Sequence, residues 1–177
     1  MVLPAALLRG VETIDALFGA LCRGVVVVTM LALLFVIGAN VFARYFLGHG
    51  TINAMGEIPE LLFPWLIAAG IVLGVQRGAH IAVDLILIAM STQSRRRMMI
   101  FINLVVIAGY LLLMGPVLQI AEITSIEETP LLRLPRSIGF YALAFGMTGV
   151  ILASTAIILR LLAGRPDDGV LNAGKAS

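Results

Sequence analysis

The residues able to do chemistry are few, and most lie between positions 40 and 84. Two carboxylates, Glu57 and Glu60, stand three apart, just ahead of an apolar block that begins at Leu61. This spacing puts both on one face of a helix. Carboxylates so close to hydrocarbon are costly unless paired or wet. Three readings are open: acidic residues favouring a helix start in the headgroup zone, a contact with a basic residue of a partner subunit, or ion binding. His80 and Asp84 have i,i+4 spacing, and two such ligands are too few for a metal site. A polar contact to lipid headgroups or to a partner, or proton handling, remains for them. Asn40, Arg44 and Tyr45 close another apolar block. They suit either a snorkelling cation beside an interfacial aromatic belt or a polar contact to another helix. Trp65 stands alone, so it offers no stacking platform and reads as an interfacial or helix–helix contact. Gly70 and Gly74 are four apart and make a weak close-packing signal. Arg77 completes the polar positions.

The elements that must hold these residues are long apolar blocks. The chain has 177 residues, 60% of them hydrophobic and only 12% charged, about half the charge of a soluble domain. A soluble protein this short needs a polar surface over its small core, and these residues cannot supply one. The expected fold is an all-α integral membrane protein. It has four transmembrane helices and short interfacial amphipathic helices, in a single membrane domain over residues 1–177.

The first crossing is predicted over residues 24–43, a run of 20 without charge, which rises about 30 Å and matches the hydrocarbon core. The second takes residues 58–76, with Pro64 in its first turns, where missing backbone bonds cost least. The third takes 98–118 and the fourth 138–159. Leu7, Leu8, Val11, Ile14, Leu17 and Phe18 recur at helical spacing and predict an interfacial helix over 4–20. A second interfacial or re-entrant helix is predicted over 79–94, ending at Arg95–Arg97. Glu12 and Asp15 ahead of the first long block argue against a cleaved signal peptide.

Basic residues orient the bundle. With the N-terminus in the cytoplasm and four crossings, Arg9, Arg23, Arg77, Arg95, Arg96, Arg97, Arg160, Arg165 and Lys175 fall inside. Only Arg44, Arg133 and Arg136 fall outside. Both termini are therefore expected in the cytoplasm.

Several function classes find no support. No phosphate-binding glycine loop, paired zinc ligands or nucleophile elbow occurs. The lone Cys22 excludes an internal disulfide, and the net charge of +2 carries no nucleic-acid signature. Neither a cofactor nor enzymatic activity is expected. Pumps and coupled carriers place ionisable groups or broken helices near mid-membrane. Apart from Glu60 at an edge, these crossings are smooth. That favours an auxiliary subunit over an independent carrier or channel, a membrane enzyme or a redox subunit.

The stretch NVFARYFLG followed by GEIPELLFPWLIAAGIVLGVQRGAHIAVDL resembles the small membrane subunit, DctQ type, of tripartite ATP-independent periplasmic (TRAP) transporters. Three marks carry the resemblance: Asn40 with Arg44-Tyr45, Glu57 eight residues before Trp65, and Arg77, His80 and Asp84 as R-x-x-H-x-x-x-D. It covers roughly residues 20–160. Two positions depart from the pattern: Glu60, where a basic residue is common, and Ala79, where an acidic one is. The resemblance implies a non-catalytic small permease subunit in a bacterial inner membrane. It further implies a large multi-spanning permease partner, paired one to one, and a periplasmic substrate-binding protein. The whole would import organic acids such as carboxylates on an ion gradient. Asn40, Arg44, Tyr45, Glu57, Glu60, Trp65, Gly70, Gly74, Arg77, His80 and Asp84 are then candidate contacts to the partner or to lipid.

Overall fold

The computed structural model describes residues 5–46, 54–77 and 92–163. Four helices hold nearly all of them: α1 (Ala5–Phe46), α2 (Ala54–Gln76), α3 (Thr92–Ile123) and α4 (Ser137–Leu162). All four are long and apolar enough to cross a membrane. Large hydrophobic side chains stand on the outer surface, among them Phe35, Phe101 and Leu112 at 75%, 61% and 77% exposure. Such a surface needs a hydrocarbon or protein cover.

The helices overrun the predicted crossings. The largest difference is at the N-terminus, where no break separates an interfacial helix over 4–20 from a crossing at 24. One helix of 42 residues runs through both, about 63 Å at helical rise. Its two parts share good helix formers and contain no proline between them, so nothing stops propagation. Similarly, α3 begins at Thr92 and carries Arg95–Arg97 in its first two turns. The predicted helix over 79–94 lies mostly outside the described residues. Because α2 starts at Ala54, Pro64 falls in its third turn and not in its first turns. The proline has no N–H for the Glu60 carbonyl, so that oxygen loses its helical partner.

Packing follows small residues. α2 lies between α1 and α4, and α3 packs on α4. On α4 the buried face includes Ala142, Gly146, Gly149, Ala153 and Ala156. A Cβ on Gly146 would sit 2.8 Å from the Ala68 Cβ, and one on Gly149 would collide with Phe18 and Val72. The absent side chains let the α2 and α4 backbones approach, which is how helices gain dispersion energy where lipid is as apolar as leucine. Cys22, Ala69, Val72 and Val150 form the shared core of α1, α2 and α4, with Val106 and Tyr110 of α3 against it. The Phe18 and Phe145 rings stack across α1 and α4 at 4.9 Å.

The α3–α4 connection is built, not slack. A 3₁₀ turn over Thr124–Ile126 leads into a tight hairpin with a bridge between Glu128 and Pro135. Thr129 N–H donates to Leu134 O at 2.9 Å, and Arg136 N–H to Glu127 O at 2.9 Å. Arg133 takes a left-handed φ of 50° to close the turn. The hairpin marks the loop end of the bundle. The opposite end, with Arg77, Arg95–Arg97 and Arg160, is the basic end.

Candidate functional site

The polar groups gather at the two ends of the bundle. At the basic end, Asp15 on α1 is 7% exposed. Arg160 Nη2 on α4 donates to its Oδ2 at 3.1 Å. Gln76 Nε2, on the last residue of α2, reaches both Asp15 Oδ1 and the Asp15 carbonyl at 2.8 Å. Arg160 Nε also lies 4.0 Å from Glu12 Oε1. Three helices are thus tied by one carboxylate whose oxygens are each satisfied, the condition under which a shielded ion pair holds. Next to it, Arg96 Nη2 donates to the Leu162 carbonyl at 3.2 Å and fixes α3 against the end of α4.

None of Asp15, Gln76 and Arg160 stood out in the sequence as a site. The available signal was weak: an acid, an amide and a cation, each near the same membrane face of a different helix. Nothing local told that they would meet.

At the loop end, Glu57 is occupied inside the chain. Its Oε1 accepts from Leu131 N–H at 3.0 Å and its Oε2 from Leu132 N–H at 3.0 Å. Thr129, 2% exposed, adds a side-chain hydrogen bond, and Arg136 adds a nearby positive charge. Ionised carboxylates are strong acceptors for such amides. The hairpin is therefore clamped onto the start of α2. Glu60, one turn on, is exposed and has no ion pair or hydrogen bond among the described residues. The face shared by the two carboxylates thus holds one engaged and one free group.

The remaining candidates divide between inside and outside. Trp65 is an internal helix contact, its ring 5.6 Å from that of Phe145. A Cβ on Gly70 or Gly74 would meet nothing within 4 Å. These glycines do not form the close contact within the chain; Gly146 and Gly149 do. With Glu60, Phe63 and Ile67, Gly70 and Gly74 mark an outward stripe of α2 at helical spacing. Arg77 is exposed just past the end of α2, its N–H within 3.2 Å of the Leu73 and Gly74 carbonyls. His80 and Asp84 lie outside the described residues.

Asn40, Arg44 and Tyr45 sit on the far end of α1. Equal steps along antiparallel helices from the Asp15–Gln76 contact bring Ile37 beside Ala54. Residues 38–46 then run on past the start of α2 by roughly 13 Å. Tyr45 is 79% exposed and Arg44 is exposed. Phe42 and Phe46 stack on each other at 4.5 Å. The Asn40 Oδ1 is shielded and accepts no hydrogen bond from the described residues.

Among the described residues no group of three or more His, Cys, Asp or Glu could hold a metal. Among the described residues the bundle has internal ties at both ends and exposed apolar surface on α1, α2 and α3.

Comparisons with known proteins bear on the family. The model of the family "Tripartite ATP-independent periplasmic transporters, DctQ component" matches residues 33–164. An uncharacterized protein, y4mM, of Sinorhizobium fredii is 39% identical over 140 residues, 79% of this chain and 26% of that protein. A Haemophilus influenzae protein, provisionally named a TRAP transporter small permease protein, is 30% identical over 103 residues, 58% of this chain and 60% of its own length. The chain thus spans about a quarter and three fifths of these two relatives. With three marks in order, four membrane-length helices and a family match across three of them and part of the fourth, the chain belongs to the DctQ component family of the tripartite ATP-independent periplasmic transporters.

Proposed function

We propose that this chain is the non-catalytic small permease subunit of a secondary, ATP-independent tripartite importer of organic acids such as carboxylates. Its place is the bacterial inner membrane, with both termini in the cytoplasm. It braces a large multi-spanning permease subunit, one to one, and that subunit works with a periplasmic substrate-binding protein. Substrate and coupling ion pass through the large subunit.

The observation that carries this reading is the division of polar and apolar groups within a DctQ-type chain. Asp15, Glu57, Gln76 and Arg160 are engaged in ties within the bundle, which leaves them unavailable for a transport path. Open apolar surface remains on α1 around Asn40, Arg44 and Tyr45, and on α2 along Gly70 and Gly74. These two faces are the proposed partner contacts, with Arg77, His80 and Asp84 at the basic end. Trp65 and Glu57 support them from within. In the rhizobial relative the similar segment is part of a much longer polypeptide, as expected if such a bundle works beside a larger body.

Reconstitution tests the reading. Liposomes holding the purified chain alone, under a sodium gradient, should take up no organic acid above empty vesicles. Liposomes that also hold the large subunit, with binding protein outside, should take it up. Uptake by the chain alone would overturn the proposal.

A further inference from the structure

At the loop end, α2 and α4 part and leave a groove of about 520 Å³. Pro64 and Gly139 form its floor, where a Cβ on the glycine would stand 3.5 Å from the Pro64 Cγ. Phe63, Ile67 and Leu143 wall it, at 54%, 44% and 41% exposure. Towards the basic end the groove stops at the Ala68–Gly146 contact, where the two helices touch. At its mouth stand three charges: Glu60, Glu127 and Arg136. All three side chains are exposed. The groove therefore has an apolar interior open to the side and a rim of both signs at the membrane edge.

The dimensions decide between occupants. From Glu60 to Ile67 the groove runs about 11 Å along α2, roughly a third of the hydrocarbon core. A crossing helix would need the full depth, and the Ala68–Gly146 contact blocks it. The upper part of an acyl chain needs no more than this. The rim matches a zwitterion: a guanidinium for a phosphate and carboxylates for an ammonium. The Glu60 carbonyl, deprived of its helical donor by Pro64, is a further acceptor for ammonium N–H. A trimethylated ammonium has no N–H to give, and a glycerol headgroup has no cation.

We propose that this groove binds one phospholipid with a primary ammonium headgroup, of the phosphatidylethanolamine type, from the leaflet at the loop end. Arg136 takes the phosphate, Glu60 and Glu127 take the ammonium, and one acyl chain lies over Pro64 and Gly139. The site belongs to this chain and does not depend on the partner proposed above.

The test uses the full chain in vesicles of equal phosphatidylethanolamine and phosphatidylglycerol. After extraction in mild detergent, mass spectrometry should find phosphatidylethanolamine retained in preference. Glu60→Gln with Arg136→Gln should lower that retention about fivefold, as expected for lost charge-assisted hydrogen bonds. Leu112→Ala, on the exposed face of α3, should not change it. A photoreactive benzophenone residue at Phe63, otherwise in the native sequence, gives an independent readout. Its lipid adducts should be richer in phosphatidylethanolamine than those from the same probe at Leu112. Equal retention by the charge variant overturns the proposal. So do adducts at Phe63 that match the bulk lipid, and adducts there to another protein in the native membrane.

Discussion

The Arg160 guanidinium meets the Asp15 carboxylate at 3.1 Å, across 145 residues of sequence and at the same end of two helices. The Asp15 side chain is 9% exposed and that of Arg160 27%. The contact is therefore shielded on the acid side and partly wet on the basic side. Removing the base strands a shielded charge, which is the costly way to break such a pair.

Arg160→Leu should accordingly destabilise the bundle by about 2 kcal/mol, measured as loss of thermal stability in detergent. Asp15→Asn should cost less, because the amide oxygen can still accept from Gln76. The double variant should recover part of the loss. Strict additivity of the two single variants would show that the pair is not coupled.

Glu57 offers a local readout. Glu57→Ala should release the Leu131 and Leu132 amides, and their hydrogen exchange should quicken by roughly tenfold or more, the equivalent of about 1.4 kcal/mol. The Arg133 turn should become more sensitive to protease. Amides on α3 should keep their protection. Unchanged exchange at 131 and 132 would mean that the clamp does not form in solution.

The two glycine pairs should behave in opposite ways. Gly146→Leu inserts bulk where Ala68 already touches α4, so the isolated chain should lose stability by about 1–3 kcal/mol from overpacking. Gly74→Leu meets open space and should leave the isolated chain as stable as before. In a pull-down, however, Gly74→Leu should lower recovery of the large subunit, while Leu112→Ala should not. Full recovery and uptake with Gly74→Leu would remove this face of α2 from the interface.

Membrane orientation is checked by labelling. The nine-to-three bias of basic residues predicts a cytoplasmic basic end. A cysteine at Ser125, at the start of the α3–α4 connection, should react with an impermeant reagent added from the periplasm. One at Ser94 should be protected. The reverse pattern would invert the protein.

The apolar blocks made the four helices legible, because runs of 16 to 24 uncharged residues leave the backbone few alternatives in a membrane. Helix ends were less legible. Hydropathy marks where hydrocarbon stops, while α1 and α3 continue because nothing in residues 5–23 or 92–97 breaks a helix. The roles of Glu57 and Trp65 depended on contacts 74 and 80 residues away. Gly70 and Gly74 carried the same small-residue signal as Gly146 and Gly149. Only packing tells which pair faces a neighbouring helix of the same chain. The Asp15–Gln76–Arg160 knot was hidden for the same reason, since it exists only once three helices share a register.

The proposed function makes this bundle one part of a larger permease. Its most direct test is native mass spectrometry of the tagged full chain, extracted gently from its own membranes. The expected result is a one-to-one assembly with a large multi-spanning permease, identified by sequence as the product of a neighbouring gene. Recovery of the chain only by itself or as a homo-oligomer, from membranes shown to contain that permease, would contradict it.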